Sequence, residues 1–364
     1  MYQVKFYLNL ADKKKNTFIK EELIPFLHEA FPDSGQERKG DYYFSWSIEV
    51  VPVIVLYLKC ETEYFQKILP KMQEMFGEFC HSLSEEEKKG NPFYIEHKKD
   101  IAVMNGLKGK KDIPENLTME YEKVENIDRQ GEYDNEEIKE IYNEYFFRMQ
   151  GITEQAFLFI EENMEARAMA FVYGMFYLTA MQLDATGVGR GYLSFKSHLL
   201  GFLNYKNPDI EKYRDYFERY YCANVQVFEQ MADILEDETE FENAAKESVL
   251  YELLWKFSKT FEELYEDFYQ AEEEEVKESI KEKMEKKKQF REFRKFSQFH
   301  YKMFSDNNKE FFKLREFRAY RMLVNFVYLQ LPRLGLSSRI RVEGAYMLVR
   351  TMEKEQGMIQ IERE

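Results

Sequence analysis

The sequence predicts an α+β protein in which an N-terminal mixed sheet with covering helices packs on a larger, mostly helical half. Three observations lead to this class. Polar and apolar residues alternate near the N-terminus, two strand-like runs then follow each other almost without a spacer, and beyond residue 135 apolar residues recur every three or four positions. The sheet region is assigned to residues 1–134 and the helical region to residues 135–364, as two domains or as one continuous domain.

Each element of the first region has a local signal. The run YQVKFYLNL alternates as a half-buried strand does, and residues 16–31 have helical spacing. The runs DYYFSWSIEV and VPVIVLYLKC favour a β-hairpin, whose second strand is apolar on both sides, as a central strand is. Residues 63–79 have the spacing of a covering helix. Residues 85–132 contain scattered glycines and prolines, which are typical of irregular or edge structure.

The second region is predicted to be helical throughout. Prolines occur there only at Pro208 and Pro332, so few positions interrupt a helix. No internal repeat is visible. The spacing of apolar residues predicts helices from residue 135 through residue 183, at 194–205, 209–235 and 239–269, through a basic segment to residue 331, and at 338–355.

Composition excludes several classes of protein. The formal net charge of −15 disfavours nucleic-acid binding, which needs a positive surface. No membrane-spanning run and no secretory signal are visible, and Cys60, Cys80 and Cys222 are too scattered for a disulfide framework. We therefore expect a cytoplasmic protein that binds neither nucleic acid nor membrane. A homodimer is compatible with the sequence.

The common catalytic and cofactor signatures are absent. The sequence contains no phosphate-binding loop, no dinucleotide fingerprint, no HExxH and no CxxC, and its five histidines have no ligand-like spacing. The segment GVGRG at Gly187–Gly191 follows a predicted helix instead of a strand, so a turn explains it better than a nucleotide site. We expect no metal and no other cofactor.

The densest polar chemistry lies in GVGRGYLSFKSHLLGFLNY, which spans residues 187–205. If Ser194 caps the helix that follows, His198 lies in its first turn, where the positive helix end favours a neutral ring that exchanges protons near pH 7. A histidine and serine that satisfy buried backbone groups are an equally good interpretation. The candidate catalytic residues are His198, Ser197, Ser194, Tyr192 and Arg190, with Lys196 as a substrate contact.

A basic segment interrupts the acidic chain. Residues 281–321 contain 14 Lys and Arg against 6 Asp and Glu, a local balance of 14 − 6 = +8. A solvated helix face explains most such runs, but a docking surface for an acidic peptide is the more specific interpretation. The residues proposed to bind a leader peptide are Lys286, Lys287, Lys288, Arg291, Arg294 and Lys295.

Two adjoining motifs resemble a known family. SFKSHLLGFLN and the following NPDIEKYRDYFERYYCANV are similar to the SH-containing motif and the next helix of thiopeptide-type bacteriocin biosynthesis proteins, in the family of the lantibiotic-dehydratase C-terminal domain. Residues 2–31 and the run RMLVNFVYLQLPRLGLSSRIRVEGAYMLVRTME resemble the two ends of that family. The resemblance covers nearly the whole chain. It implies a partner in the form of a leader-bearing precursor peptide.

Two chemistries share this family's scaffold. Elimination domains expel glutamate from glutamylated Ser or Thr, whereas pyridine-forming members join two dehydroalanines in a formal [4+2] cycloaddition and release water and the leader peptide. Eliminating members carry basic residues on two paired strands. Here those places hold Phe44–Ser47 and Val53–Tyr57, without a basic side chain, and the family's Tyr-x-x-Glu-x-x-Arg-Tyr-Gly-Gly segment keeps only Tyr142, Arg148 and Gly151 in step.

These departures favour the pyridine-forming branch. Binding a charged glutamate adduct against an apolar wall costs free energy, because the carboxylate loses its hydration. Such a wall therefore suits a neutral, azole-rich substrate better. A stand-alone glutamate-eliminating lyase and a non-catalytic leader-binding subunit remain the alternatives, because a shared fold does not fix the chemistry. The further residues expected to bind substrate are Val53, Val55, Tyr57 and Arg148.

The resemblance also implies roles for the polar segment. His198 is the candidate for moving a proton from the nitrogen to the oxygen of an amide, with Ser197 or Ser194 orienting its ring. Tyr192 is expected to donate to the developing oxygen. Arg190 is a candidate for holding the departing amide or a carbonyl, although a salt bridge is the more common use of an arginine beside a turn.

Overall fold

A computed structural model describes ten stretches of the chain, which fall into two compact units. The first unit comprises Met1–Asp134, Asn143–Glu161 and Pro332–Gly335, and the second comprises Asn135–Tyr142, Glu162–Leu331 and Leu336–Glu364. The α+β class predicted from the sequence is confirmed. The described residues are 1–32, 39–48, 51–97, 115–125, 135–161, 164–204, 209–273, 297–303, 308 and 310–359.

The first unit contains a four-stranded antiparallel sheet. Its strands are β1 (Tyr2–Tyr7), β2 (Gly40–Ile48), β3 (Pro52–Cys60) and β4 (Thr118–Lys123), in the order β2-β3-β1-β4. The predicted hairpin and the central place of its second strand are therefore confirmed. The central strand β3 is buried on both faces, whereas the edge strand β4 is mostly exposed.

Helices α1 (Asp12–Thr17), α2 (Ile24–Ala30) and α3 (Thr62–Ser82) cover one face of this sheet, and a π-helical segment (Phe18–Leu23) joins α1 to α2. Two short helices follow, α4 (Glu85–Lys89) and α5 (Pro92–Glu96), and Tyr94 on α5 packs near Val53 and Val55 on the other face. The aromatic ring of Phe6 on β1 lies 5.4 Å from that of Phe18 and 5.2 Å from that of Phe76 on α3. Burying each such side chain stabilises the fold by about 1.5–3 kcal/mol.

The first helix starts four residues earlier than the sequence suggested. It begins at Asp12, and the preceding Ala11 has an extended backbone and no side chain that could cap the helix. Because no capping residue marks this start, the pattern of apolar residues alone placed it at Asn16.

The remaining helices follow in chain order after β4. A predicted single helix at 239–269 is two helices, because Ser248 has an extended backbone, with φ −137° and ψ 127°. The helices are α6 (Glu136–Arg148), α7 (Gln150–Glu161), α8 (Met164–Ala185), α9 (Tyr192–Leu203), α10 (Ile210–Glu236), α11 (Glu238–Glu247), α12 (Val249–Ala271), α13 (Gln298–Met303), α14 (Arg315–Arg333) and α15 (Ser338–Met352), with 3₁₀ turns at Phe311–Lys313 and Lys354–Gln356.

Helix α8 forms the centre of the second unit. It contacts α9, α10, α12 and α15, and its middle is buried on almost every side. A helix that is apolar all round is normally a buried one. Within the described ranges, no helix combines the length and the apolar content that crossing a membrane would require.

Candidate active site

The loop from α8 to α9 turns sharply before the polar segment. Gly187 and Gly189 have φ angles of +79° and +75°, which glycine adopts at little cost. Gly191 ends the loop, and a Cβ atom there would lie 2.2 Å from the carbonyl oxygen of Ala180. Glycine is required at this position because it lets the start of α9 approach α8 so closely.

Helix α9 begins at Tyr192, two residues before the cap suggested by the sequence. Ser194 lies inside the helix and is buried. The amide of Gly191 instead donates to the Asp184 carboxylate at 2.8 Å. His198 is consequently in the second turn, and the field of a helix end falls off within the first turn. The expected effect of the helix end on His198 is therefore wrong.

His198 nevertheless has a neutral ring. Its pKa is lowered to about 3, chiefly by burial and then by the positive charges of Arg321 and Arg341. The imidazole ring lies 4.9 Å from the ring of Tyr328 on α14, at an angle of 33° between the planes. The sequence predicts a ring that exchanges protons with solvent near pH 7. With so low a pKa, the ring does not do so. It is a neutral hydrogen-bonding group.

The lowered pKa predicts a loss of stability in acid. The unfolded chain takes up a proton at His198 below about pH 6.5, while the folded ring stays neutral to about pH 3. The free energy of unfolding should therefore fall by about 1.4 kcal/mol per pH unit in this window. We expect His198→Gln to remove this contribution, which urea unfolding at several pH values would measure.

The control for this measurement is the exposed Val249 on α12. A Val249→Ala variant exchanges one side chain that does not titrate for another, so it should keep a constant stability difference from the wild type between pH 6.5 and 4. A difference between the wild type and His198→Gln that also stays constant would contradict the lowered pKa.

The hydroxyl group of Tyr328 on α14 is buried. Within the part of the chain that the structure describes, this oxygen is buried and has no hydrogen-bond partner. Burial raises the pKa of the phenol, and the charges of Arg341 and Arg321 oppose that rise. The guanidinium carbon of Arg341 lies 5.2 Å from the centre of the ring. A buried hydroxyl without a partner is costly, which makes it a candidate for binding a substrate.

Ser197 binds a histidine other than the one expected. His300 is fully buried, and its Nε2 lies 3.1 Å from both the hydroxyl and the backbone oxygen of Ser197. Its Nδ1 lies 2.8 Å from the hydroxyl of Ser297. Because a carbonyl oxygen only accepts, we assign the proton to Nε2, so that Nδ1 accepts from Ser297. Ser197 thus connects α9 to α13 through His300.

Tyr192 and Lys196 converge on one carboxylate. Lys196 Nζ lies 2.7 and 2.6 Å from the two oxygens of Glu353, and the Tyr192 hydroxyl donates to Oε1 at 2.9 Å. Burial, followed by the nearby carboxylate, raises the pKa of Tyr192 to about 12. In this arrangement the Tyr192 hydroxyl is committed to Glu353, so Tyr328 is better placed to donate to a substrate.

Arg190 is exposed and has a left-handed backbone, with φ 64°. Among the described residues, its guanidinium forms no hydrogen bond and no ion pair. The salt bridge that sequence reasoning favoured for it is therefore not found in this part of the chain.

The other predicted substrate contacts lie in the first unit. Val53 and Val55 share one face of β3 and are buried against Tyr7, with the partly buried Tyr57 beside them. Arg148 is exposed, with its guanidinium 5.2 Å from the ring of Tyr145. The wall of Val53, Val55 and Tyr57 exists, and its contact with a substrate stays a prediction.

The basic segment cannot be placed in the same way. All the predicted leader contacts fall in residues 274–296, outside the described residues. These contacts are Lys286, Lys287, Lys288, Arg291, Arg294 and Lys295.

Sequence reasoning missed several neighbours of His198. Tyr328, Arg321 and Arg341 come from α14 and α15, and His300 comes from α13. One local signal existed: Arg321 and Tyr328 are seven residues apart, which puts them on the same face of a helix. The sequence alone did not indicate which other helix this face meets.

No protein-family model and no curated protein matches this sequence. Several solved structures share its fold, among them TbtD and TsrL. TbtD, the pyridine synthase from thiomuracin biosynthesis, superposes with a TM-score of 0.64 over 97% of each chain, at 14% sequence identity. TsrL superposes with a TM-score of 0.57 over 98% of this chain and 95% of that chain, at 12% identity. The chain therefore has the fold expected from its resemblance to thiopeptide biosynthesis proteins.

Proposed function

We propose that this protein is a tailoring enzyme of ribosomally made peptide natural products that joins two dehydroalanines in a formal [4+2] cycloaddition. The reaction closes a macrocycle around a new pyridine ring and releases water and the leader peptide. The fold shared with a pyridine synthase supports this class of reaction. The observation that carries the proposal is the neutral His198 ring packed on Tyr328, whose buried hydroxyl has no partner among the described residues.

The first step that needs catalysis is a proton shift. An amide next to one dehydroalanine must become an iminol, which creates a 2-azadiene. The unprotonated nitrogen of His198 accepts the amide proton, and the Tyr328 hydroxyl donates its proton to the carbonyl oxygen. The proton on His198 then returns to Tyr328, so both side chains are restored and the substrate alone has changed.

The electrostatics of the site determine how these transfers occur. The low pKa of His198 and the raised pKa of Tyr328 make a separated imidazolium and phenolate unfavourable. The two transfers are therefore concerted. Arg321 and Arg341 favour negative charge on Tyr328, so they stabilise the phenolate character that develops in the transition state.

The ring closure itself depends on positioning. Two carbon–carbon bonds form between the ends of the azadiene and the second dehydroalanine, and loss of water and of the leader as an amide then makes the ring aromatic. Holding two neutral alkenes together in a near-attack geometry supplies much of the rate acceleration. No redox partner is needed, because these eliminations provide the unsaturation.

Glutamate elimination is less well supported by the strands. Ser45 on β2 pairs with Val55 on β3, and neither segment that replaces the family's basic motifs carries a basic side chain. A carboxylate leaving group normally needs such partners. A lyase and a leader-binding subunit are the two other outcomes that the decisive experiment has to separate.

That experiment incubates the purified protein, in buffer containing a chelator, with a leader-bearing azole peptide that contains two dehydroalanines. Mass spectrometry should show a product lighter by one water and by the leader peptide. A glutamylated peptide serves as the second substrate. Loss of glutamate from it, without cyclisation of the first peptide, would identify a lyase, and no mass change in either would leave a binding role.

The basic segment is proposed to bind the leader peptide, with part of the affinity ionic. Long-range attraction of this kind weakens as salt rises. We expect the combined charge reversals Lys286→Glu, Lys288→Glu and Arg291→Glu to raise the dissociation constant of the leader and to flatten its salt dependence, measured by fluorescence anisotropy. The matched control is Lys212→Glu, an exposed charge on α10. Unchanged binding by a folded triple variant would place the leader site elsewhere.

A further inference from the structure

A cavity of about 180 Å³ lies in the second unit beside the start of α9. Among the described residues, Phe311, Phe312 and Phe317 line it together with two leucines, a methionine, an asparagine, Ser194 and Arg190. The Ser194 side chain is hydrogen-bonded to Tyr320, which leaves Arg190 as the charged donor at the wall. An apolar cavity of about 150 Å³ holds one benzene molecule. This cavity therefore has room for one aromatic ring and little more.

The three phenylalanines at the cavity pack against one another. Phe311 and Phe317 have ring centres 4.4 Å apart and inclined at 47°, whereas Phe312 meets the other two nearly edge-on, at 81° and 84°. Aromatic pairs prefer such inclined and edge-to-face contacts, so an aromatic ligand beside this cluster could make contacts of the same kind. Among the described lining residues, a carboxylate would find a charged partner only in Arg190, so much of its hydration would be lost without replacement.

Arg190 gives independent evidence for a ligand. A left-handed backbone costs a residue other than glycine about 1–2 kcal/mol, and this arginine stands in a loop whose other turn positions are glycines. Arg190 lines the cavity, and its guanidinium forms no hydrogen bond or ion pair among the described residues. A strained residue with an uncommitted side chain is typical of a binding site.

We propose that this cavity binds one heteroaromatic ring of the peptide substrate, with an acceptor on the edge of the ring facing Arg190. A pure hydrocarbon ring would fill the volume but would leave Arg190 without a hydrogen-bond acceptor. Ser194 and His198 are four residues apart on one helix face, or roughly 6 Å along the axis. A ring held beside Ser194 would thus place the amide attached to it near His198. This assignment rests on the proposed function for the identity of the substrate.

The test measures binding of single rings, without turnover. Thiazole should bind the wild-type protein more tightly than toluene, and acetate should not bind, as judged by ligand-observed NMR. Arg190→Gly removes the guanidinium and relieves the backbone strain. This substitution should raise the dissociation constant of thiazole about tenfold, the loss expected for one charge-assisted hydrogen bond. The dissociation constant of toluene should be unchanged.

A cavity-filling variant locates the site. Leu193→Trp should abolish binding of both rings, whereas Val249→Trp, at a position 55% exposed in the same unit, should not. If Leu193→Trp fails to fold, the wild-type protein offers a second measurement. The NMR signal of the Met303 methyl group, assigned by its loss in Met303→Leu, should shift when thiazole binds, because the ring current of thiazole acts on it.

Several results would overturn the assignment. Thiazole binding that survives Leu193→Trp, or that leaves the Met303 methyl signal unmoved, excludes the cavity. Equal thiazole affinity in Arg190→Gly excludes the role of Arg190, and acetate binding better than thiazole indicates an anion site. If the rings bind as expected but the peptide is not cyclised, the proposed function is refuted and the ring site stands. If the peptide is cyclised but the rings do not bind, the ring site is refuted and the proposed function stands.

Discussion

Replacing His198 with alanine is expected to lower the kcat of macrocycle closure by about 10²–10⁴-fold, the usual contribution of an acid–base group. Leader affinity should be unchanged, because the polar segment of α9 is distinct from the proposed leader contacts. The loss should appear in kcat and in kcat/KM together, since the proton shift is needed only in the transition state. Steady-state kinetics by mass spectrometry and leader binding by anisotropy measure the two quantities.

Two variants separate catalysis from structure. His198→Asn keeps a neutral hydrogen-bonding group but cannot accept and return a proton, so it should be nearly as slow as His198→Ala. His81→Ala, at an exposed position on α3, should turn over normally. If His198→Ala and His198→Asn both unfold, the ring is structural. A folded His198→Ala that cyclises at the wild-type rate would mean that positioning alone drives the reaction.

Much of the fold was predictable because its signals are local. The alternation in β1 and the apolar run of β3 determine which faces are buried, and they led to a hairpin with a central second strand. The start of α1 was misplaced, since Ala11 offers no capping side chain. The break at Ser248 was missed because residues on both sides keep a helical spacing, so only the backbone of that residue separates α11 from α12.

The candidate site was predictable only in part, for a physical reason. The density of polar residues around His198 can be read within one helix. Its partners cannot, because Tyr328 lies 130 positions further along the sequence and Glu353 lies 161 positions from Tyr192. The sequence does not show that α14 and α15 pack near α9. For that reason the end of the helix was the expected cause of the neutral ring. The structure attributes it to burial and to two arginines.

Replacing Tyr328 with phenylalanine is expected to make the protein more stable and the enzyme slower. The hydroxyl is buried without a partner among the described residues, and leaving such a group unsatisfied costs about 1–3 kcal/mol. Its removal should therefore raise the free energy of unfolding by about 1 kcal/mol, as measured by urea denaturation. The same change removes the donor to the developing oxygen, which should lower kcat by about 10²–10³-fold.

The control is another tyrosine on the same helix. The hydroxyl of Tyr320 donates to the backbone oxygen of Gly191 at 2.7 Å, so Tyr320→Phe should lower stability by about 1–2 kcal/mol, the opposite sign. Stability changes of opposite sign for these two substitutions in one helix would distinguish a hydroxyl retained for function from one retained for structure. Loss of stability in Tyr328→Phe would show that this hydroxyl has a partner in the folded protein. Greater stability with full activity would refute the catalytic role of this hydroxyl.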